Sequence, residues 1–228
     1  MDSIYWLLVV FVGFGPVAMM IQEGLWSNTI TLFSMVLGGI TAFALYEPIT
    51  VMMDENLDGE FTYVLDIVVI WFIYFIVVAV LRTLGGALSK TKLLFNKPID
   101  EVASPIVALA TGFLMLGFTL STLHVAPLSR DFVRCIAYGV PDKVYDDEDA
   151  KYEVPSRAAV EQGIDEASWI AHPDLTWLGL VETLLGGSRF GPGEDGFVAR
   201  DFVINRGNRR DQFAESGASW LRVRRSGR

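Results

Sequence analysis

Ile67-Val68-Val69-Ile70-Trp71-Phe72-Ile73-Tyr74-Phe75-Ile76-Val77-Val78-Ala79-Val80-Leu81 decides the fold of this chain. β-Branched and aromatic residues of this kind suit a buried strand by propensity. Length argues the other way. Strands seldom exceed about 10 residues, and the apolar run extends from Val64 to Leu84 with Asp66 and Arg82 as its only charges. A helix rises about 1.5 Å per residue and needs around 20 mostly apolar residues to cross a hydrocarbon layer of about 30 Å. Lipid offers no partner for backbone N–H and C=O groups, so a spanning segment must satisfy its own, as a helix does. The run reads as a membrane helix.

Three further segments have the same character: Ile4–Ile21, Thr29–Tyr46 and Val102–Leu123, the last carrying Ser104, Pro105, Thr111 and Thr119 but no charge. Trp6, Trp26, Tyr46 and Tyr63 fall at or near the ends of these runs, where an aromatic belt places amphipathic rings. Tyr46-Glu47-Pro48 is expected to end the second helix, because proline disfavours helix at the residue before it. Gly85-Gly86 loosens the end of the third. Pro16, beside Gly13 and Gly15, removes a backbone bond and predicts a kink in the first. Between Ala87 and Phe95, Lys90 and Lys92 among leucines fit either a short interfacial helix or a basic loop. Ser34, Gly38 and Ala42 lie at four-residue spacing on the second helix, as do Ala108 and Gly112 on the fourth. In lipid, helices associate through close backbone approach at such small residues.

The wider composition agrees. Of 228 residues, 52% are hydrophobic and 20% charged, and the mean hydropathy is +0.40. The charges are unevenly spread. Residues 1–127 hold few, whereas residues 128–228 read as an ordinary water-exposed extension with Gly and Pro punctuation. The fold class expected is therefore all-α membrane, with a four-helix transmembrane domain over 1–127 and a hydrophilic, partly helical extension over 128–228. Within the extension, Asp142–Asp149 reads as a solvated linker. Residues 174–185 read as an amphipathic helix, with Asp174 as N-cap and Leu175, Trp177, Leu178, Val181, Leu184 and Leu185 forming a stripe at helical spacing. That stripe is expected to pack within its own domain, and Gly186-Gly187 to end the helix.

Several function classes are excluded or disfavoured. The single Cys135 rules out an intrachain disulfide and a cysteine zinc cluster, and reads as an inert thiol. A net charge of −9 offers no footprint for nucleic acid. The basic cluster Arg222, Arg224, Arg225 and Arg228 reads as an exposed tail. Asp2 and the long apolar run after it argue for a retained first helix over a cleaved signal peptide. Counting Lys and Arg near the helix ends sets Arg82, Lys90, Lys92 and Lys97 against Arg130, Arg134 and Lys143. This bias puts the third connection in the cytoplasm and both termini outside.

Candidate chemistry is sparse. Asp54, Asn56, Asp58 and Glu60, with Gly59, match the opening of a calcium loop, in which alternate oxygens converge on one ion. The twelfth position, which should supply a bidentate carboxylate, is Leu65, so the acidic-turn reading competes. Asp66 is an intramembrane acid and thus a functional candidate, although its place near the interface suggests a solvated carboxylate. His124 reads as a satisfied interfacial histidine. No catalytic constellation, metal cluster or cofactor motif stands out.

Leu37-Gly38-Gly39-Ile40-Thr41-Ala42-Phe43 followed by Tyr46-Glu47-Pro48, and the exit from the third helix, Leu81-Arg82-Thr83-Leu84-Gly85-Gly86-Ala87-Leu88-Ser89-Lys90, resemble the bacterial colicin V production family over roughly residues 1–127. The first connection, Gln22-Glu23-Gly24, keeps that family's glycine and lacks its bases, and Pro98-Ile99-Asp100-Glu101 stands where it has a Leu-Asp-Arg-like turn. The resemblance implies a non-enzymatic multi-pass protein of the bacterial inner membrane, linked to production or export of a peptide toxin and to envelope maintenance. It implies no catalytic residues and no cofactor. The partners expected are the lipid bilayer and, through the small-residue faces, a second copy or other membrane proteins. Two other readings stay open: a small transporter or channel subunit using Asp66 or the kinked first helix, and a membrane anchor or receptor acting through its soluble tail.

Overall fold

The computed structural model describes residues 2–56, 62–88, 97–128, 130–141, 153–186 and 196–215. These are helical apart from turns and one isolated bridge between Gly186 and Gly196. The first apolar segment is broken into α1 (Asp2–Leu8), a π-helical turn (Val9–Phe14) and α2 (Gly15–Met20). Pro16 lies in the first turn of α2, so the break falls immediately before it. This is where a ring without N–H disturbs the i→i−4 ladder.

The long helices follow: α3 (Leu25–Asn56), α4 (Thr62–Leu88) and α5 (Lys97–Leu123). Each contains a stretch long and apolar enough to cross a membrane: Leu25–Glu55, Val64–Ala87 and Ile99–Leu123. The first segment, Ile4–Met20, is apolar but shorter. Of the four spans expected, three therefore meet the length criterion and the fourth is an interrupted helix. Two short 3₁₀ turns, Arg130–Phe132 and Arg134–Ile136, lead into α6 (Arg157–Glu166), α7 (Pro173–Leu185) and α8 (Ala199–Glu215).

The expected stop at Tyr46-Glu47-Pro48 is wrong. α3 continues through Pro48 to Asn56. A proline inside a helix removes one hydrogen bond. Continuing keeps Phe43, Tyr46 and Thr50, all fully buried, at helical spacing on one packed face. Likewise Gly85-Gly86 does not loosen α4, which runs on to Leu88. Tyr46 is not a belt residue either, since its ring is fully buried.

The bundle is set by close approach at small residues. Gly38 of α3 faces Val78 and Tyr74 of α4, where an added Cβ would come within 2.6 Å of Val78 Cγ2. Gly112 of α5 lies against the Gly13 carbonyl and Val17. Ser34, Ala42 and Ala108 are buried as well. One end of the bundle is tied by Asp100, which accepts the Leu25 N–H at 2.7 Å, by Asn28 donating to Ser104 Oγ at 2.8 Å, and by an Arg82–Glu23 pair at 3.4 Å. The opposite half of the bundle receives α1 and the described extension, with the Trp177 ring reaching Gly39 of α3.

The stripe on α7 does not pack within a separate domain. Trp177, Leu178 and Val181 are fully buried in the main core with Phe43, Ile70 and Phe118. The helix begins at Pro173, with His172 at the cap and Asp174 inside its first turn. Asp174 is therefore not the N-cap. At Gly186 the helix ends as expected. Of the stretch Ala87–Phe95, Ala87 and Leu88 end α4 and the remainder lies outside the described residues, as do Asp142–Asp149 and the Arg222–Arg228 cluster.

Candidate functional site

Two buried polar clusters sit where the extension meets the bundle. The first is built around Asp66, one turn into α4. Far from being solvated, its side chain is only 1% exposed. Arg206 of α8 donates to Asp66 Oδ2 at 3.3 Å, and Arg209 donates to the same oxygen. The other arm of Arg206 donates to the Tyr46 hydroxyl at 2.6 Å and lies 3.8 Å from Glu47 Oε1. Its guanidinium carbon stands 5.4 Å from the Tyr46 ring centroid and 5.9 Å from that of Phe202. A planar, weakly hydrated cation suits this slot, where it meets carboxylate, hydroxyl and ring faces together. Two acids and two guanidiniums balance, which buried charges require.

The second cluster lies just past the end of α5. His124 Nε2 is 3.0 Å from Asp174 Oδ2, and both side chains are fully buried. The Tyr138 hydroxyl donates to that same oxygen at 2.8 Å. His172 Nδ1 donates to the Cys135 carbonyl at 2.8 Å and lies 3.2 Å from the Tyr138 oxygen. Burial pushes the His124 pKa below its ordinary value, against the opposing pull of the Asp174 hydrogen bond, and nearby Arg210 and Arg130 push the same way as burial. A neutral ring so placed donates Nε2–H to the carboxylate. Burial, then Asp174, raises the Tyr138 phenol well above its usual range, which keeps it a donor. Burial also raises the Cys135 thiol, in keeping with an inert cysteine. Alongside, Arg130 pairs with Asp211 at 2.7 Å and donates to Asn208 at 3.2 Å, linking α8 to the turn after α5.

These clusters join charged and hydrogen-bonded groups of the bundle on one side to groups of α7 and α8 on the other. Of the calcium-loop residues, Asp54 and Asn56 fall in the last turn of α3. Asp58 and Glu60 lie outside the described residues. The described residues hold no group of three or more His, Cys, Asp or Glu side chains arranged to hold a metal ion.

Arg206, Arg209, Tyr138 and His172 carry much of this junction, and no motif in the sequence marks them. A signal exists in retrospect. Phe202, Arg206 and Arg209 recur at helical spacing on one face of α8, an apolar-to-cationic stripe that needs a buried acid opposite it.

No curated protein and no solved structure matches the chain. The model of a family described as colicin V production protein matches residues 5–135, from α1 through the second 3₁₀ turn. That match covers more than half of the sequence, ends before α6 and takes in Tyr46, Asp66 and His124; the chain belongs to the colicin V production protein family.

Proposed function

We propose that this chain is a non-enzymatic, multi-pass scaffold of the bacterial inner membrane, acting in production or export of a peptide toxin and in envelope maintenance. In this reading both termini and the extension face outward, and the scaffold associates with itself or with other membrane proteins. The observation that carries it is the use made of Asp66. This buried acid, one turn into α4, is engaged by Arg206 and Arg209, so its charge holds the extension in place. Removing one member of a buried pair costs about 3–5 kcal/mol, because the remaining charge is stranded.

Peptide-toxin secretion by a host lacking its own copy separates this reading from the transporter alternative. In a scaffold, Asp66→Asn and the double variant Arg206→Gln/Arg209→Gln break the same contact and reduce secretion to a similar degree. In a carrier that uses the acid, Asp66→Asn alone abolishes secretion and the arginine variant stays active. Full secretion by all variants would overturn the scaffold reading as well.

A further inference from the structure

We propose that α7 and the loop before it are seated within one lipid leaflet, and that Trp169 and Ile170 form a face that contacts the bilayer directly. The hydrophilic extension thus contributes a membrane-embedded element of its own.

Depth is the first argument. The Trp177 ring lies against Gly39, where a Cβ would stand 2.6 Å from Trp177 Cη2. Gly39 is close to the midpoint of the apolar stretch Leu25–Glu55. Its neighbour Gly38 meets Val78 and Tyr74, on either side of the midpoint of Val64–Ala87. Two helices therefore agree that this ring reaches the hydrocarbon. On α5, Gly117 packs on Trp177 Cβ and on Pro173, about 9 Å inside the end of its span at a rise of 1.5 Å per residue.

Coverage is the second. The large apolar side chains that α5 exposes are Ile99, Val102, Ile106 and Leu109. From Thr111 to Leu123 no side chain of α5 is exposed, because α7 and the first helix occupy the place lipid would take. An element that replaces lipid on one side turns its other side toward lipid.

That other side is chemically suited to it. Gly179, two positions on from Trp177, points away from the bundle and is covered by the Trp169 ring. Trp169 is 62% and Ile170 84% exposed. Two hydroxyls nearby are closed on backbone carbonyls: Thr176 donates to the Trp169 carbonyl at 2.6 Å and Thr183 to the Gly179 carbonyl at 2.7 Å. Backbone and hydroxyl groups closed on themselves are what a lipid environment demands. An exposed Trp beside an exposed aliphatic is the pairing found at the boundary of headgroup and acyl chain. Glu182, exposed in the last turn of α7, accepts the Ala199 N–H at 3.2 Å and bounds the apolar face on the side of α8.

The test places a nitroxide at Ile170→Cys in a Cys135→Ser background, with the full chain in vesicles of phosphatidylcholine and phosphatidylglycerol. Gln162→Cys on α6 is the water reference and Phe72→Cys on α4 the lipid reference. The label at 170 is expected to collide with dissolved oxygen in preference to a water-soluble nickel chelate, as at 72. Chelate access matching that at 162 overturns the proposal. So does an immobilised label shielded from both, which would put a second protein copy on this face. A measurement without cysteine substitution backs it: brominated acyl chains should quench the fluorescence of the unmodified chain more than that of Trp169→Phe, and equal quenching counts against the proposal.

Discussion

At the scale of single residues, burial decides what the ionisable groups do. Asp66 lies near a helix start, where a carboxylate ordinarily reaches water, yet it is enclosed because α8 brings two guanidiniums over it. His124 shows the same principle with a pH consequence. Its folded pKa is held below the ordinary 6.5 by burial, so near and just below that pH the unfolded chain binds more protons than the folded one. Stability must then rise with pH across that window and fall as acid is added. Thermal melting of the full chain in lipid discs, followed from about pH 7.5 down to 5.5, should show a decline that His124→Gln flattens. Parallel declines in both proteins would contradict this assignment. None of this can be read from His124 alone in the sequence, because its partner Asp174 lies 50 positions away.

At the scale of elements, what is local was legible and what is tertiary was not. α4 and α5 follow from run length and hydropathy, since those quantities belong to the segment itself. The broken first helix follows from Pro16. By contrast, Pro48 misleads, because the rule for a residue before proline concerns local sterics while the packing of Phe43, Tyr46 and Thr50 holds α3 in register past it. For α7 the sequence shows the helix and not its seat: a stripe at helical spacing states that a face is buried and not against what. Its seat is the notch at Gly39 and Gly117. There an added methyl meets the Trp177 ring or the Pro173 carbonyl, and overpacking of this kind costs about 1–3 kcal/mol. Gly117→Ala should accordingly lower the melting temperature and speed proteolysis of the extension, whereas Gly86→Ala, which meets nothing, should leave both unchanged. Equal behaviour of the two variants would remove α7 from its notch.

At the scale of the whole molecule, the division at residue 127 visible in the charge distribution is a chemical boundary more than a structural one. Phe43 sits among Tyr46 and Phe118 from the bundle and Trp177, Phe197 and Phe202 from the extension. A single aromatic core thus crosses the boundary, flanked by the Asp66 and His124 clusters. Sequence composition resolves which half favours oil. It cannot resolve that the other half closes over it, because that depends on pairings such as Arg206 with Tyr46, 160 positions apart. The most direct measurement cuts the chain at a protease site placed within Asp142–Asp149 and extracts it in mild detergent through a tag on the N-terminal piece. Capture of the C-terminal piece in equal amount is the result this architecture predicts; a C-terminal piece that washes away free would contradict it.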